Sequence, residues 1–419
     1  MNIFVGLITA LIHCCLTVPA HAKTFSWLEI NGAVMSSYDY NSNIFQTEND
    51  KVDDTLIKIN PTLQLNTKIN RFEISSNYSG EFNRYSTRSD ENSNETNFSL
   101  NINTNDALQI STYANALYKT AEDLNGNVDD NVQLEEVPNS FDSLNGTVGF
   151  KLQNSSKAIS IEGSFNYNSK VYQRTELRDR NSDSQAINLI NKYIISKRSN
   201  FYFLYSQKDI MYTTSGNESS NNVDKQYGIG GEWLATGKLS ADMLVSFQNK
   251  MPNNSDIDEY GGLAANLNIK WRRRSFSIVD LSLNRTTSEN VSKDYLANVN
   301  SGLSLSWQHG YASRLAMKSL WSITLTENPA KGESLFAEFS QSFRYTYSTK
   351  LSGSILMSYS QRSDTEQVKN SVVVNPKINF NATRHISLSG SVSYEKFYTS
   401  EDRIIDTLST SLSIRLSFD

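Results

Sequence analysis

Apolar and polar residues alternate along nearly all of this chain, from position 25 to position 418, in runs of about ten residues. A repeat of two residues is typical of a β-strand with one apolar and one polar face, because successive side chains point to opposite sides. Helical spacing appears nowhere at length. In one clear run the apolar positions are Ile159, Ile161, Phe165, Tyr167 and Val171. The pattern predicts an all-β fold.

The length of the runs separates a membrane barrel from a soluble β-sandwich, whose strands also alternate. A tilted strand that crosses a bilayer needs about 9 to 11 residues, whereas strands of soluble domains cluster near 5 or 6. The runs here are of the longer kind. Pro61 and Pro376 fall inside two runs, and each predicts a bulge or the start of a strand because proline has no N–H to donate.

The segments between the runs alternate in length. Long polar loops are predicted at 41–54, 120–142, 174–184 and 213–222. Short turns are predicted near Asn70, Asp106, Ser155, Ser199, Gly237, Arg273, Gly310, Ser348 and Thr383. Short turns on one rim and long loops on the other are typical of outer-membrane barrels, whose short turns are periplasmic. We therefore predict a transmembrane antiparallel up-and-down β-barrel of about 18 to 20 strands, within a range of 16 to 20.

The first 22 residues resemble a secretory signal peptide. An apolar stretch at 3–18 is followed by Pro19, Ala20, His21 and Ala22, which match the A-x-A cleavage pattern. We predict cleavage after Ala22, which leaves 23–419 as one outer-membrane barrel domain. Both cysteines, at positions 14 and 15, fall inside the segment that is removed, so no disulfide is expected.

Composition excludes other classes of protein. The mean hydropathy is −0.47, and no stretch of about 20 apolar residues follows the N-terminal segment, so a helical membrane protein is excluded. The net charge of −5 is modest, and both signs are mixed along the chain. We therefore predict no nucleic-acid partner. The one basic run, Arg272, Arg273 and Arg274, falls at a short turn and receives no specific role.

The histidines decide most of the catalytic possibilities. His309 and His385 lie in predicted periplasmic turns, far from the long loops, so neither is placed to activate a serine nucleophile. The acidic stretch 123–134 has Val128 and Leu134 where a calcium-binding loop needs glycine and glutamate. We predict no enzymatic activity, no cofactor and no metal site.

Aromatic residues occupy the ends of the predicted strands. Trp233, Trp271 and Trp307 each precede a short turn, where an interfacial aromatic girdle is expected. A second set near the loop ends is assigned to the opposite girdle: Tyr40, Tyr85, Tyr118, Tyr172 and Tyr212. The last run alternates strictly up to Phe418, which resembles the C-terminal signal recognised by the outer-membrane barrel assembly machinery.

The polar face of the runs is predicted to line a lumen. Barrels of 16 or more strands leave an aqueous channel inside, so these side chains contact whatever passes. The candidate lumen-lining residues are Glu73, Glu81, Tyr113, Asn115, Lys119, Glu162, Asn166, Lys170, Tyr172, Lys270, Glu338 and Arg344. Inward positions in general are rich in Ser, Asn, Tyr, Glu and Lys. Hydroxyl, phenol and amide groups suit hydroxyl-rich solutes such as sugars, although any water-filled pore needs similar residues.

The segments SYDYNSNIF at 37–45 and NPTLQL at 60–65, with the strand at 72–85, resemble a known N-terminal pattern. It is that of the putative β-barrel porin family associated with exopolysaccharide biosynthesis and export gene clusters. The resemblance implies an outer-membrane barrel that passes a polysaccharide chain outward and works with a periplasmic polysaccharide export protein. No catalytic residues come with the family.

The sequence therefore favours a channel for exopolysaccharide export, in contact with outer-membrane lipid and lipopolysaccharide. Two alternatives remain open. A general or sugar-selective diffusion porin would use the long loop at 120–142 as a constriction inside the lumen. A surface adhesin or receptor would bind through its extracellular loops, and truncating those loops would abolish its activity.

Overall fold

The computed structural model describes residues 27–44, 48, 51–87, 93–104, 110–123, 139–154, 156–173, 181–212, 221–254, 259–274, 276–289, 297–311, 313–328, 332–364, 368–399 and 404–418. Ala22 and the predicted signal segment lie outside these residues. The described residues contain twenty strands: β1 Leu28–Asn41, β2 Asp54–Ile69, β3 Phe72–Tyr85, β4 Ser93–Thr104, β5 Ile110–Asp123, β6 Asn139–Gln153, β7 Ile159–Tyr172, β8 Ser182–Ser196, β9 Ser199–Tyr212, β10 Asn222–Thr236, β11 Leu239–Pro252, β12 Tyr260–Arg274, β13 Ser277–Glu289, β14 Ala297–Gly310, β15 Leu315–Asn328, β16 Gly332–Thr346, β17 Leu351–Ser363, β18 Val368–Asn381, β19 Ile386–Thr399 and β20 Ile404–Phe418.

The sheet is a closed antiparallel barrel. Each strand pairs with the next one along the chain, and β1 pairs with β20 from Gly32 opposite Phe418 to Asn41 opposite Ser409. Closure leaves none of the twenty described strands at an open sheet edge. Among the described residues, no helix is long and apolar enough to cross a membrane. The predicted all-β antiparallel barrel is confirmed, with the strand number at the upper end of the predicted range.

The two rims differ in the length of their connections. At one end, the short-turn rim, connections such as 70–71 and 237–238 have two residues, and Asn70 takes the left-handed φ of 54° that asparagine tolerates in a tight turn. At the other end, the loop rim, the connection between β5 and β6 spans 124–138. Its residues, which include most of the predicted constriction loop, lie outside those described.

The two prolines do not produce the bulges that the sequence predicted. Pro61 lies in the middle of β2 opposite Val34, and Pro376 lies in the middle of β18 opposite Ile355. The ladder between β2 and β3 omits Pro61, and the ladder between β18 and β19 omits Pro376. Both ladders resume in the same register, as from Ile59 opposite Phe82 to Thr62 opposite Ser79. The prediction was wrong because the long ladder on each side holds the register across one missing donor.

The register assigns each strand residue to one of two faces. One face carries large apolar side chains that are well exposed, including Leu263 at 63% and Leu412 at 68%. The other face carries mostly serine, asparagine and charged residues, and small members such as Ser160 and Ser246 are buried on it. Side chains diverge on the convex side of a closed sheet and crowd on its concave side. The apolar face is therefore the outer, lipid-facing one, and the polar face is the inner one.

The closing pair of strands depends on a glycine. Gly32 and Phe418 are opposite each other on the outer face of β1 and β20, and the Phe418 ring occupies the space that a side chain at position 32 would fill. A large aromatic ring that covers a glycine on the neighbouring strand buries apolar area and shields the backbone there. Phe418, the predicted assembly signal, thus also packs across the closure of the barrel.

A larger side chain at Gly32 should weaken this closure. We expect Gly32→Leu to displace the Phe418 ring and to lower the stability of the folded barrel by about 1–3 kcal/mol, the usual cost of overpacking. The measurement is the folded fraction in a urea series, read from the mobility of unheated samples in SDS gels. The matched control is Gly146→Leu, on the outer face of β6, where a Cβ meets nothing within 4 Å. Equal stability of the two variants would contradict the packing role of Phe418.

Candidate functional site

The inner face of β13–β20 is built largely of serine. The register aligns Ser282, Ser304 and Ser322 across three neighbouring strands. Further cross-strand serine pairs follow around the wall: Ser340 with Ser358, Ser360 with Ser371, Ser391 with Ser411, Ser393 with Ser409, and Ser389 with Ser413. The hydroxyls of Ser389 and Ser413 lie 2.6 Å apart. This half of the wall therefore presents a dense layer of hydroxyl groups, with charged residues at intervals among them.

The inner face of β3–β9 is richer in asparagine, and its amides are hydrogen-bonded across strands. Asn115 donates to Asn101 on β4. Thr147 donates to Asn166 over 2.8 Å, and Ser206 donates to Asn188 over 2.6 Å. Amides held in this way keep a fixed orientation and still have donor or acceptor capacity toward the lumen.

Charged residues form ion pairs near the short-turn rim in the first two thirds of the barrel. The predicted lumen residues Glu73, Glu162 and Lys270 each have a partner on an adjacent strand. The nitrogen-to-oxygen distances are 2.8 Å for Lys68–Glu73, 3.0 Å for Lys151–Glu162, 2.7 Å for Lys192–Glu232 and 3.5 Å for Lys270–Asp280. The paired charges largely cancel, so this part of the wall is polar but has little net charge.

Three predicted lumen residues meet near the loop rim. The Lys170 ammonium lies 4.1 Å from the centre of the Phe141 ring and 4.6 Å from that of Tyr172, and Lys119 approaches Phe141 at 6.0 Å. A cation over an aromatic ring is favourable and leaves its remaining hydrogens available. Tyr172 is buried on the inner face, as is Tyr212, and Tyr85 shares that face. These three tyrosines are therefore not part of an outer girdle, which corrects that prediction.

Two inner-face tyrosines lie flat against the wall. Tyr113 covers Gly149, and Tyr202 covers Gly230, because a Cβ at either glycine would fall within the ring. A flat phenol exposes one apolar ring face and a hydroxyl, which suits stacking on the C–H face of a sugar ring. The sequence predicted Tyr113 but missed Tyr202. The sequence signal for Tyr202 was Gly230 on the next strand, which leaves room for the ring.

The remaining predicted residues are spread over the wall. Glu81 lies opposite Glu95 on β4 and accepts a hydrogen bond from Asn83. Glu338 lies between Ser322 and Ser360. Arg344 lies between Ala316 on β15 and Ser354 on β17. Thus all twelve candidates share the inner face, but they form no single cluster. Within the described part of the chain, no group of three His, Cys, Asp or Glu residues could hold a metal ion.

Exposure of the inner face differs between the rims. Near the loop rim of β9–β11, Ile210 is 3% exposed and Lys250 is 2% exposed, the latter with its ammonium 3.4 Å from the Asp224 carboxylate. Near the short-turn rim of β15–β20, inner side chains such as Lys318 and Arg344 are exposed. Charged inner side chains are therefore exposed at the short-turn mouth, and at the loop rim Arg362 of β17 and Lys369 of β18, which lie opposite each other, are exposed as well.

The outer face carries the three predicted girdle tryptophans. Trp233, Trp271 and Trp307 all lie on it within a few residues of the short-turn rim. Trp307 donates its indole N–H to the Ser277 hydroxyl over 3.3 Å.

His309 also belongs to this outer surface and not to a turn, where the sequence had placed it. It lies within β14, one residue before the strand ends. Its imidazole packs among aromatic rings, with centroids 4.5 Å from Tyr311, 5.5 Å from Phe276 and 5.6 Å from Trp307. The histidine thus extends the aromatic surface at the short-turn rim.

The lumen is wide at the level of the strands. Twenty strands about 4.8 Å apart, tilted by about 40°, give a backbone diameter of about 40 Å. Inner side chains of about 6–10 Å on each wall leave roughly 20 Å between them. An extended polymer chain is narrower than this, so the wall can contact a polymer on one side and water on the other.

The sequence missed several inner-face residues that carry charge. Lys151, Lys192, Lys318, Lys377 and Arg415 all point inward by the register. The signal was available, because each alternates with apolar neighbours in the same phase as the residues that were named. The sequence could not show which of these cations have acidic partners, because the partners lie on neighbouring strands.

The sequence matches one known family over most of its length. The family described as "Putative beta-barrel porin 2" matches residues 26–318 of this chain. No curated protein sequence matches this chain.

Solved structures share the architecture. The siderophore receptor PirA from Pseudomonas aeruginosa aligns with a TM-score of 0.55 at 10% identity, over 93% of this chain and 80% of the receptor. The FrpB iron transporter (F5-1 variant) from Neisseria meningitidis aligns with a TM-score of 0.57 at 9% identity, over 94% and 83%. PirA from Acinetobacter baumannii gives 0.54 at 8% identity, over 93% and 80%. At such identities the likeness shows the fold alone.

The assignment of the two faces can be checked by thiol labelling. We expect Ser304→Cys, on the inner face of β14, to react with a charged, membrane-impermeant methanethiosulfonate in intact outer membranes. Leu305→Cys, the next residue, points to lipid and should stay unlabelled because the reagent cannot enter the hydrocarbon. The chain after position 22 has no native cysteine to interfere. Preferential labelling at position 305 would show that the faces are reversed.

Proposed function

We propose a function from one premise: this chain belongs to the putative beta-barrel porin 2 family and is a β-barrel of the outer membrane. On that premise, we propose that the barrel is a conduit through which a newly made exopolysaccharide crosses the outer membrane to the cell surface. The observation that carries the proposal is the inner surface of hydroxyl and amide groups, which is dense on β4–β7 and on β13–β20.

The chemistry of this surface suits a sugar polymer. Sugar hydroxyls can exchange hydrogen bonds with serine hydroxyls and asparagine amides at nearly constant free energy as the chain advances. Conduction requires contacts that are favourable enough for the solute to enter and weak and numerous enough for it to leave. The cross-strand serine pairs of β13–β20 repeat along the wall without one deep site. A polymer can therefore slide along this wall.

We propose partners for the outer face, for Phe418 and for the short-turn rim. The outer face, with its exposed apolar side chains, contacts outer-membrane lipid and lipopolysaccharide. Phe418 serves as the signal for the barrel assembly machinery. The short-turn rim faces the periplasm, and there a periplasmic polysaccharide export protein delivers the polysaccharide chain.

Deletion of the gene tests the proposal directly. We expect a deletion strain to lose polymer from the medium and to accumulate it in the periplasm, because synthesis continues while the exit is missing. The measurement is the amount of polysaccharide in each fraction. Unchanged secretion would overturn the proposal and leave a diffusion porin or a surface receptor acting through its loops.

A block of the lumen separates a conduit from an indirect effect of deletion. The deletion strain is complemented with Ser304→Cys or Leu305→Cys, and each is treated with a maleimide-linked polyethylene glycol. Export should fall only in the Ser304→Cys strain, because only that thiol lies in the lumen. Equal export in both treated strains, with position 304 fully labelled, would contradict passage through the barrel.

A further inference from the structure

Four exposed cations lie on the inner face of β15–β20 near the short-turn rim. They are Lys318, Arg344, Lys377 and Arg415, hereafter the cationic sector, and each lies within five residues of the short-turn end of its strand. None forms an ion pair with an acidic residue that the structure describes. By contrast, the lysines at the same end of the first thirteen strands, Lys68, Lys151, Lys192 and Lys270, each form an ion pair with an acidic residue.

The neighbours of the cationic sector are mostly hydroxyl groups. Arg344 and Lys377 lie on either side of Ser354, one strand away from it in each direction. Lys318 faces Ser342, and Arg415 faces Ser387. Two strand spacings separate Arg344 from Lys377 by about 10 Å. The sector is thus a hydroxyl-lined wall with positive charges at intervals.

The turns of the same rim continue this positive charge. Every connection at the short-turn rim except 105–109 and 275–276 contains a basic residue. The connection 275–276 directly follows Arg272, Arg273 and Arg274. The basic turn residues are Arg71, Lys157, Lys197, Arg198, Lys238, Arg314, Lys350 and Arg384. Arg314, Lys350 and Arg384 lie in the turns that adjoin the cationic sector.

The sequence segments that connect strands at the loop rim have the opposite sign. They contain twenty Asp and Glu residues and eight Lys and Arg residues. By sequence, the connecting segments are therefore net basic at the short-turn rim and net acidic at the loop rim. A mouth lined by one sign of charge concentrates solutes of the opposite sign and speeds their capture.

We propose that the cationic sector binds an acidic polysaccharide, one whose sugars carry carboxylate, sulfate or phosphate groups, as it enters from the periplasm. This inference rests on the proposed export function and narrows its substrate class. Lysine and arginine hold such anions, and the intervening serines hydrogen-bond to sugar hydroxyls.

The position of the charges favours a polymer over other anionic partners. The four side chains point into the lumen, away from the lipid, so phospholipid headgroups do not reach them. They also lie above the turns, inside the strands, where a slender chain reaches more readily than a folded acidic domain. The fixed charges of the barrel determine where the polymer binds, but they supply no net driving force for export. Continued synthesis of the polymer supplies that force.

The test uses the purified full-length barrel in planar bilayers. Polygalacturonate and neutral dextran of matched length are added to each chamber in turn, and the block of ionic current is recorded. We expect polygalacturonate to block at lower concentration than dextran and to act better from the short-turn side. In Lys318→Gln/Arg344→Gln/Lys377→Gln/Arg415→Gln the blocking concentration of polygalacturonate should rise by about tenfold or more, because four charge contacts are lost.

Two smaller variants control for charge and for folding. Arg344→Gln/Lys377→Gln removes two charges of the sector, and Lys225→Gln/Lys396→Gln removes two from the outer face. The first should weaken polygalacturonate block by about threefold and the second by less than about twofold. Equal block by both polymers, unchanged in the sector variants, would overturn the acidic substrate class while leaving a sugar conduit. Block by neither polymer would overturn the proposed function as well.

Discussion

Hydrogen bonding of the backbone in lipid is the constraint on which the rest of this structure depends. Inside a bilayer there is no water to pair with an exposed N–H or C=O, so a sheet that crosses it must close. Here the closure is the ladder between β1 and β20, covered at its end by Phe418 over Gly32. Once the sheet is closed, the number of strands determines the width of the lumen. Because successive side chains point to opposite faces, each strand residue faces either the lipid or the lumen.

That sorting gives the inner surface its properties. Lipid accepts the apolar side chains, so serine, asparagine and charged residues collect on the other face and meet across strands. Most of the lumen lysines near the short turns are neutralised by acids on adjacent strands, for example Lys151 by Glu162. The exceptions on β15–β20 give one sector of the mouth an uncompensated positive charge. A mostly neutral hydroxyl wall with one charged sector can guide a polymer without holding it.

Much of the candidate surface could be read from the sequence, because alternation alone reveals which side of a strand a residue occupies. Glu162, Asn166 and Arg344 were found in this way. Alternation does not reveal neighbours, since the register between strands is set by turn geometry and by the ladder as a whole. The pairing of Lys192 with Glu232, forty residues away, was therefore out of reach. The prolines were misjudged for a related reason, because the continuous ladder on one side and the resumed ladder on the other hold the register.

The sequence by itself determined the all-β class, the membrane-spanning strands, their approximate number and the two chemically different faces. These follow from local periodicity and run length, which every stretch of the chain carries within itself. Only the tertiary structure decided the strand number, the aligned serine pairs, the aromatic rings over glycines and the cations that lack acidic partners among the described residues. Each of these depends on which residues from different strands lie side by side, and the closed sheet alone fixes that.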